Sequence, residues 1–188
     1  MTLRPPQGAW AALADAPTAF YEGHAVLLPD GRVAWPGGAD PSQGAMGDVA
    51  SVAVYDPASD SWGSLPDMPR AREMQAAGMV KDKLYVFGGF EVVQVAALNG
   101  SAYTMAQGSV FSLDTSDAQA KWVEEAGAPL PYNSTGAASI TLPGGEATVI
   151  VGGFQNWFEE GGVLKCVRKG GRGEEQGGVH LCVLRVET

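Results

Sequence analysis

Apolar residues along the chain fall in short runs broken by glycine, proline and acids, and no run has helical spacing. Three runs end in a glycine pair: Val33-Ala34-Trp35-Pro36-Gly37-Gly38, Leu84-Tyr85-Val86-Phe87-Gly88-Gly89 and Thr148-Val149-Ile150-Val151-Gly152-Gly153. After each of the first two comes a second run closing on an acid, Ser51-Val52-Ala53-Val54-Tyr55-Asp56 and Ser109-Val110-Phe111-Ser112-Leu113-Asp114, and then Trp62 or Trp122. Runs rich in β-branched and aromatic residues and bounded by Gly, Pro, Asp and Ser predict strands. The polar breaks Pro29-Asp30-Gly31-Arg32, Lys81-Asp82-Lys83 and Pro143-Gly144-Gly145-Glu146 predict hairpin turns. The glycine pairs belong where inner strands crowd, because a side chain would block close backbone approach or a positive φ.

The same phrase therefore recurs at a spacing of roughly 50 residues, which points to a propeller or a solenoid. With four strands, a to d, in each unit, strand a covers residues 23–28, 75–80 and 136–141. Strand b ends at each glycine pair, strand c ends at Asp56 and Asp114, and strand d begins at Trp62 and Trp122. Residues 8–17 match the strand d phrase, and residues 178–188 match a strand c. The expected division is repeat blades over 1–153, comprising a strand d at 8–17, blades at 20–66 and 72–130, and the start of a third at 134–153. A Gly-rich charged insertion follows at 154–178, then a last strand at 179–188.

This phrase resembles the Kelch repeat, whose units end one strand with Gly-Gly, place Tyr-Asp near the end of the next, and follow with Trp, Leu and a Pro/Arg turn. Here that turn reads Trp62-Gly63-Ser64-Leu65-Pro66-Asp67-Met68-Pro69-Arg70-Ala71-Arg72. The second copy, residues 122–131, has no Arg, and the third unit matches in part. The resemblance implies an all-β, Kelch-type β-propeller with three blades of four antiparallel strands, either part of a propeller or half of a six-bladed ring. Propellers commonly have four to eight blades, so three leave two blade faces to be covered by a longer protein, a second copy or a docked partner. The function implied is a protein-interaction module, with a protein partner. The enzymatic alternative is a sugar mutarotase or epimerase acting on a small acidic sugar, or a fragment of a larger Kelch enzyme. A copper oxidase of this family needs two metal-bound histidines with tyrosines and a cross-linked Cys, whereas this chain has only His24 and His180.

Composition narrows the partners. The formal charge is −9, and the acidic excess lies in the blades, so nucleic acid is not expected. Hydrophobic residues make up 45%, enough for cores within and between blades, but no long apolar stretch suits a membrane. The start, Met1-Thr2-Leu3-Arg4-Pro5-Pro6, lacks the apolar centre of a signal peptide, so a cytoplasmic location is expected. A secreted one is expected instead if the start is truncated, in view of the sequons Asn99-Gly100-Ser101 and Asn133-Ser134-Thr135. Cys166 and Cys182 with His180 are too few for a structural zinc site, and free thiols are expected. No metal, cofactor or catalytic set is called for.

Loops on a rigid scaffold carry binding more often than strands do. The b–c connections, residues 39–49, 90–108 and 154–178, and the d–a links are expected on one face. The d–a links hold Tyr21, Glu22 and His24, then Arg70, Arg72 and Glu73, then Tyr132 and Asn133. Arg70 and Arg72 lead, because a guanidinium can grip a carboxylate with two parallel hydrogen bonds. For Arg72 the alternative is a structural pairing with an acid of a neighbouring blade. Trp10, Trp35, Trp62 and Trp122 recur as blade packing, whereas Trp157 starts a loop and is a contact candidate. By spacing, His24 matches Gln75 of the next unit.

Overall fold

The computed structural model of the chain describes residues 11–43, 47–95, 101–127, 129–130, 133–158, 164–167 and 181–185. The strands in chain order are β1 (Val26–Leu27), β2 (Val33–Pro36), β3 (Val52–Asp56), β4 (Ser61–Leu65), β5 (Ala76–Val80), β6 (Lys83–Phe87), β7 (Phe90–Val95), β8 (Ser101–Ala106), β9 (Val110–Asp114), β10 (Val123–Glu124), β11 (Thr135–Thr141), β12 (Ala147–Phe158), β13 (Leu164–Val167) and β14 (Leu181–Arg185). They form three antiparallel blades, β1-β2-β3-β4, β5-β6-β9-β10, and β11-β12-β14. A single 3-10 turn, Pro41–Gln43, interrupts the β-structure among the described residues.

Two connections read as loops contain strands. Residues 90–106 fold into the hairpin β7–β8, paired from Phe90↔Ala106 to Val95↔Ser101. β12 runs on past Gly152 and Gly153 to Phe158 and pairs with β13 through Gln155↔Val167 to Phe158↔Leu164, inside the span expected as an insertion. In both places aromatic and β-branched residues follow the glycine pair, and they extend the ladder beyond the turn that the pair makes. Residues 11–20, by contrast, carry no strand. Strand a of blade 1 is only Val26–Leu27, because Leu28 already enters a turn, its N–H donating to Arg32 O at 2.8 Å.

Register fixes which residues are equivalent. Val26 pairs with Ala34, Gly78 with Tyr85 and Ile140 with Val149, and these pairs stand at the same distance from their glycine pairs. His24 is therefore level with Ala76 and Ala138, and Gly23 is the residue level with Gln75, which corrects the match taken from spacing. Cys166 and Cys182 both lie along β12, opposite Asn156 and Ile150.

Two apolar seams join the blades. Val26, Leu28, Ala34, Val52 and Val54 of blade 1 pack on Ala77, Met79, Leu84, Val86 and Phe111 of blade 2. The other face of blade 2, with Ala76, Val80, Tyr85, Phe87 and Val110, meets Ile150 and Ala137 of blade 3. Burying each large side chain contributes about 1.5–3 kcal/mol.

Backbone bonds repeat at both seams. Gly38 N donates to Arg72 O and Gly89 N to Ser134 O, each at 2.7 Å. These glycines have φ of 95° and 89°, and a Cβ on either would stand 2.7 Å from a carbonyl, Tyr21 O or Glu73 O. The glycine pair is thus the point where one blade touches the link into the next. A second bond runs beside it, Met74 N to Glu22 O at 2.6 Å and Gly136 N to Met74 O at 2.7 Å. At the outer rim Trp62 Nε1 donates to Ala14 O at 3.0 Å, and Trp122 Nε1 donates to Pro66 O at 2.7 Å.

Candidate functional site

The glycine-pair ends of strands b and the links into strands a lie on one face, as the bridges Tyr21↔Ala39 and Glu73↔Phe90 show. On that face Arg72 is fully buried. Its Nη1 donates to Glu91 Oε2 at 2.6 Å and to Ala71 O at 2.9 Å, its Nη2 donates to Ser109 Oγ at 2.9 Å, and the guanidinium stands 5.2 Å from the Phe111 ring centroid. Burial works against the charged form, and the Glu91 carboxylate offsets it. Every one of these partners belongs to blade 2 or to the link itself, so Arg72 ties the d–a link to β7 and β9 and is out of a partner's reach.

Arg70 sits above the same ring, its Cζ 5.3 Å from the Phe111 centroid, but remains partly exposed. Its Nη2 donates to Glu124 Oε1 at 2.6 Å, and Nη1 is 3.9 Å from Glu91 Oε2. Arg70 opens on a cleft of about 440 Å³ bounded by Gln107, Ser109, Glu124, Glu125 and Asn133, with Val110, Pro129 and Leu130 as apolar walls. Glu125 is held there by Ser112 Oγ, which donates to its Oε1 at 2.6 Å.

A second group of charges lies at the seam between blades 1 and 2. Burial pushes the Glu73 carboxyl up to about 7, helped by the charges of Glu22 and Asp48 and by a hydrogen bond with Glu22. Burial likewise raises Asp48, whose Oδ2 accepts from Val92 N at 3.3 Å. Tyr21 and Glu22 are exposed beside this pair, and Glu22 has a φ of 54°.

His24 stands apart from both groups. It lines an axial cleft of about 380 Å³ with Ala25, Val26, Leu27, Ala77, Gly78, Ser139, Ile140 and Thr141. Ser139 Oγ donates to Ala77 O at 2.5 Å and lies 2.9 Å from His24 Nε2. With the hydroxyl proton committed to Ala77 O, the histidine is the donor in that pair, so the serine is not activated as a nucleophile. Burial lowers the imidazole from its ordinary value, against a smaller upward effect of Ser139.

Of the residues expected on the rim, Arg70 and Asn133 share the lateral cleft, and Arg72 lies behind it. Tyr21 and Glu22 stand with Glu73 at the seam, and His24 faces the axis. Trp157 is on β12 opposite Lys165, and Tyr132 falls outside the described residues. Glu91, Glu124, Glu125 and Asp48 were not singled out from the sequence. For Glu91 the available signal was the β-branched and aromatic content of Phe90-Glu91-Val92-Val93-Gln94-Val95, which marks a strand.

Antiparallel blades, glycine-pair seams and the rim tryptophans Trp62 and Trp122 give the described residues the fold of Kelch-type β-propeller blades. No family model matches the chain. It is 33% identical over 91 residues to Kelch-like protein terF of Aspergillus terreus, a match covering 47% of this chain and 20% of that protein. It is 34% identical over 91 residues to a putative F-box/kelch-repeat protein of Arabidopsis thaliana, covering 35% of this chain and 24% of that one. The chain thus matches about a fifth to a quarter of the length of these curated relatives. Among solved structures, YjhT superposes with a TM-score of 0.57 at 19% identity, over 76% of this chain and 37% of that chain. At that identity the likeness concerns the fold alone.

Proposed function

We propose that the chain binds a partner protein through the face shared by the d–a links and the b–c connections, with the cleft at Arg70 as its centre. The observation that carries this reading is the cleft itself. A partly exposed guanidinium, two carboxylates and two amides converge there from β10 and the connections around it, beside apolar walls. The Arg70–Glu124 pair is exposed, and such pairs are worth about 0–1 kcal/mol. A partner carboxylate can therefore replace Glu124 on the guanidinium at little cost, while an apolar side chain covers Leu130. The sugar-converting alternative calls for acids, arginine and histidine in one pocket, and the described residues divide them between two clefts.

The test is affinity capture from cell extract with the purified chain and with Arg70→Ala, followed by quantitative mass spectrometry and a circular dichroism spectrum of each. A set of proteins depleted at least tenfold by Arg70→Ala, with unchanged spectra, supports the reading. Equal recovery of every captured protein by both forms overturns it.

A further inference from the structure

We infer that the partner segment recognised at the Arg70 cleft carries opposite charges close together, a carboxylate for Arg70 and a lysine or arginine for Glu124. The inference deepens the protein-binding reading above and rests on it.

A purely acidic segment does not suit the charges already present. Arg70 is the one cation among the described residues lining the cleft, whereas Glu124 and Glu125 both line it. Glu91 stands 3.9 Å from Arg70 Nη1, and its Oε2 accepts from Arg72 Nη1 at 2.6 Å. Arg72 is fully buried and engaged within the fold, so it cannot turn to a ligand. A third carboxylate, brought alone, would share a single guanidinium with the two that line the cleft. Like charges at such range repel, and the net charge of −9 adds to the repulsion rather than relieving it.

A purely basic segment fails for the opposite reason. Glu124 Oε1 accepts from Arg70 Nη2 at 2.6 Å, and Glu125 Oε1 accepts from Ser112 Oγ at the same distance. A lysine that drew Glu124 away would strip Arg70 of its nearest carboxylate. Arg70 and Arg72 both stand over the Phe111 ring, at 5.3 and 5.2 Å from its centroid. Arg70 would then be left beside a second guanidinium.

A segment with both charges meets the two requirements together. Its carboxylate takes Nη2 of Arg70, Glu124 is released, and the cation of the same segment receives Glu124. One ion pair becomes two, and every charge keeps a partner. The exchange is open to a ligand because Arg70 is 38% and Glu124 49% exposed. The rest of the cleft suits a peptide. Gln107 and Asn133 bring amides, which both donate to and accept from a peptide backbone, and Pro129 and Leu130 form an apolar wall. Asn133 is set close over Gly108, where a Cβ would stand 2.8 Å from its Oδ1.

The test selects a random peptide library displayed on phage against the purified chain. Peptides that bind the wild-type chain and fail on Arg70→Ala are then synthesised and their affinities measured, with a circular dichroism spectrum of each variant. The expected peptides carry Asp or Glu together with Lys or Arg within a few residues. Replacing that basic residue by Ala should weaken binding to the wild-type chain about threefold to fivefold, the range of an exposed ion pair, and should change nothing on Glu124→Gln. The Ala-substituted peptide should bind Glu124→Gln more tightly than the wild-type chain, because the internal competitor for Arg70 is gone. Arg70-dependent peptides that carry acids alone overturn the inference and leave the protein-binding reading standing. So does a basic residue that counts equally on Glu124→Gln and on the wild-type chain. A selection that yields no Arg70-dependent peptide overturns both.

Discussion

Arg72 and Arg70 are two positions apart, and the structure gives them opposite tasks. Arg72 has no exposed surface and holds Glu91 and Ser109. Arg72→Ala removes the hydrogen-bonded cation of the mostly buried Glu91 and leaves it only the more distant Arg70, and breaking a buried pair on one side costs about 3–5 kcal/mol. Arg70→Ala removes an exposed pair worth about 0–1 kcal/mol. Urea unfolding of the two single variants should therefore show a large loss of midpoint for Arg72→Ala and almost none for Arg70→Ala; equal losses would refute this division. Glu73 is the other residue whose chemistry reaches beyond its own side chain. Its carboxyl is raised from 4.5 to about 7 in the folded chain, mainly by burial. The folded state thus holds a proton that the unfolded chain releases between those values, so this contribution is fully present below about 4.5 and is lost as pH rises through 7. Asp30, Asp56, Asp60 and Asp114 run the other way. Asp30 is lowered chiefly by the Arg32 side chain, and the other three by hydrogen bonds in their turns or links. Their contribution is lost as the solution becomes strongly acidic. Urea midpoints should peak in the weakly acidic range and decline toward pH 8, and Glu73→Gln should flatten that decline. A slope unchanged by Glu73→Gln would show that the seam is not its source.

Among the elements, the strands that repeat were legible in the sequence and those that do not were missed. The glycine pairs, the Tyr-Asp strand ends and the tryptophans are local features, each set by a turn or by packing within one blade. The hairpin β7–β8 and the extension of β12 lie beyond a glycine pair, where the pair itself reads as a stop. The lateral cleft was half legible. Arg70 and Asn133 came from their places in the links, but Glu91 and Glu124 meet Arg70 only once blade 2 has folded around it. The burial of Arg72 follows from the same missed hairpin, since its carboxylate partner is on β7. The register of His24 was misjudged because the turn between the first two strands is one residue longer in blade 1, where Leu27 pairs with Val33, than in blade 2, where Met79 pairs with Leu84. An expectation at this scale concerns residues 11–20, which have no ladder of their own and depend on the indole of Trp62. Trp62→Phe keeps the ring against Phe20 and Tyr55 but deletes the donor to Ala14 O. Limited proteolysis should then cut residues 11–20 several-fold faster and leave the blades intact; an unchanged cleavage rate would mean that the Asp60 carboxylate, which accepts from Ala14 N at 2.9 Å, suffices alone.

Among the described residues, stability is unevenly distributed because only blade 2 packs against a blade on each side. In a stacked repeat, each unit is stabilised by its own ladder and by the seams it shares. Ala76 and Ala77 are neighbours on β5 that point to opposite seams, and each is 2% exposed. β11 is buried only at Thr135 and alternates between exposed and partly exposed positions along the rest of its length. Blade 2 also receives side-chain bonds where its inner strand would otherwise meet water. Ser139 Oγ and Thr141 Oγ1 accept from Ala77 N at 3.2 Å and Met79 N at 2.9 Å, and Thr148 Oγ1 donates to Met79 O at 2.8 Å. Amides open to exchange through local fluctuations unless their protection spans a cooperative unit. Hydrogen exchange should therefore be slowest in β5, β6 and β9, faster in β2 and β3, and fastest in β11 and β14. Equal exchange rates across the three blades would refute this ordering and mean that the seams do not set the local stability.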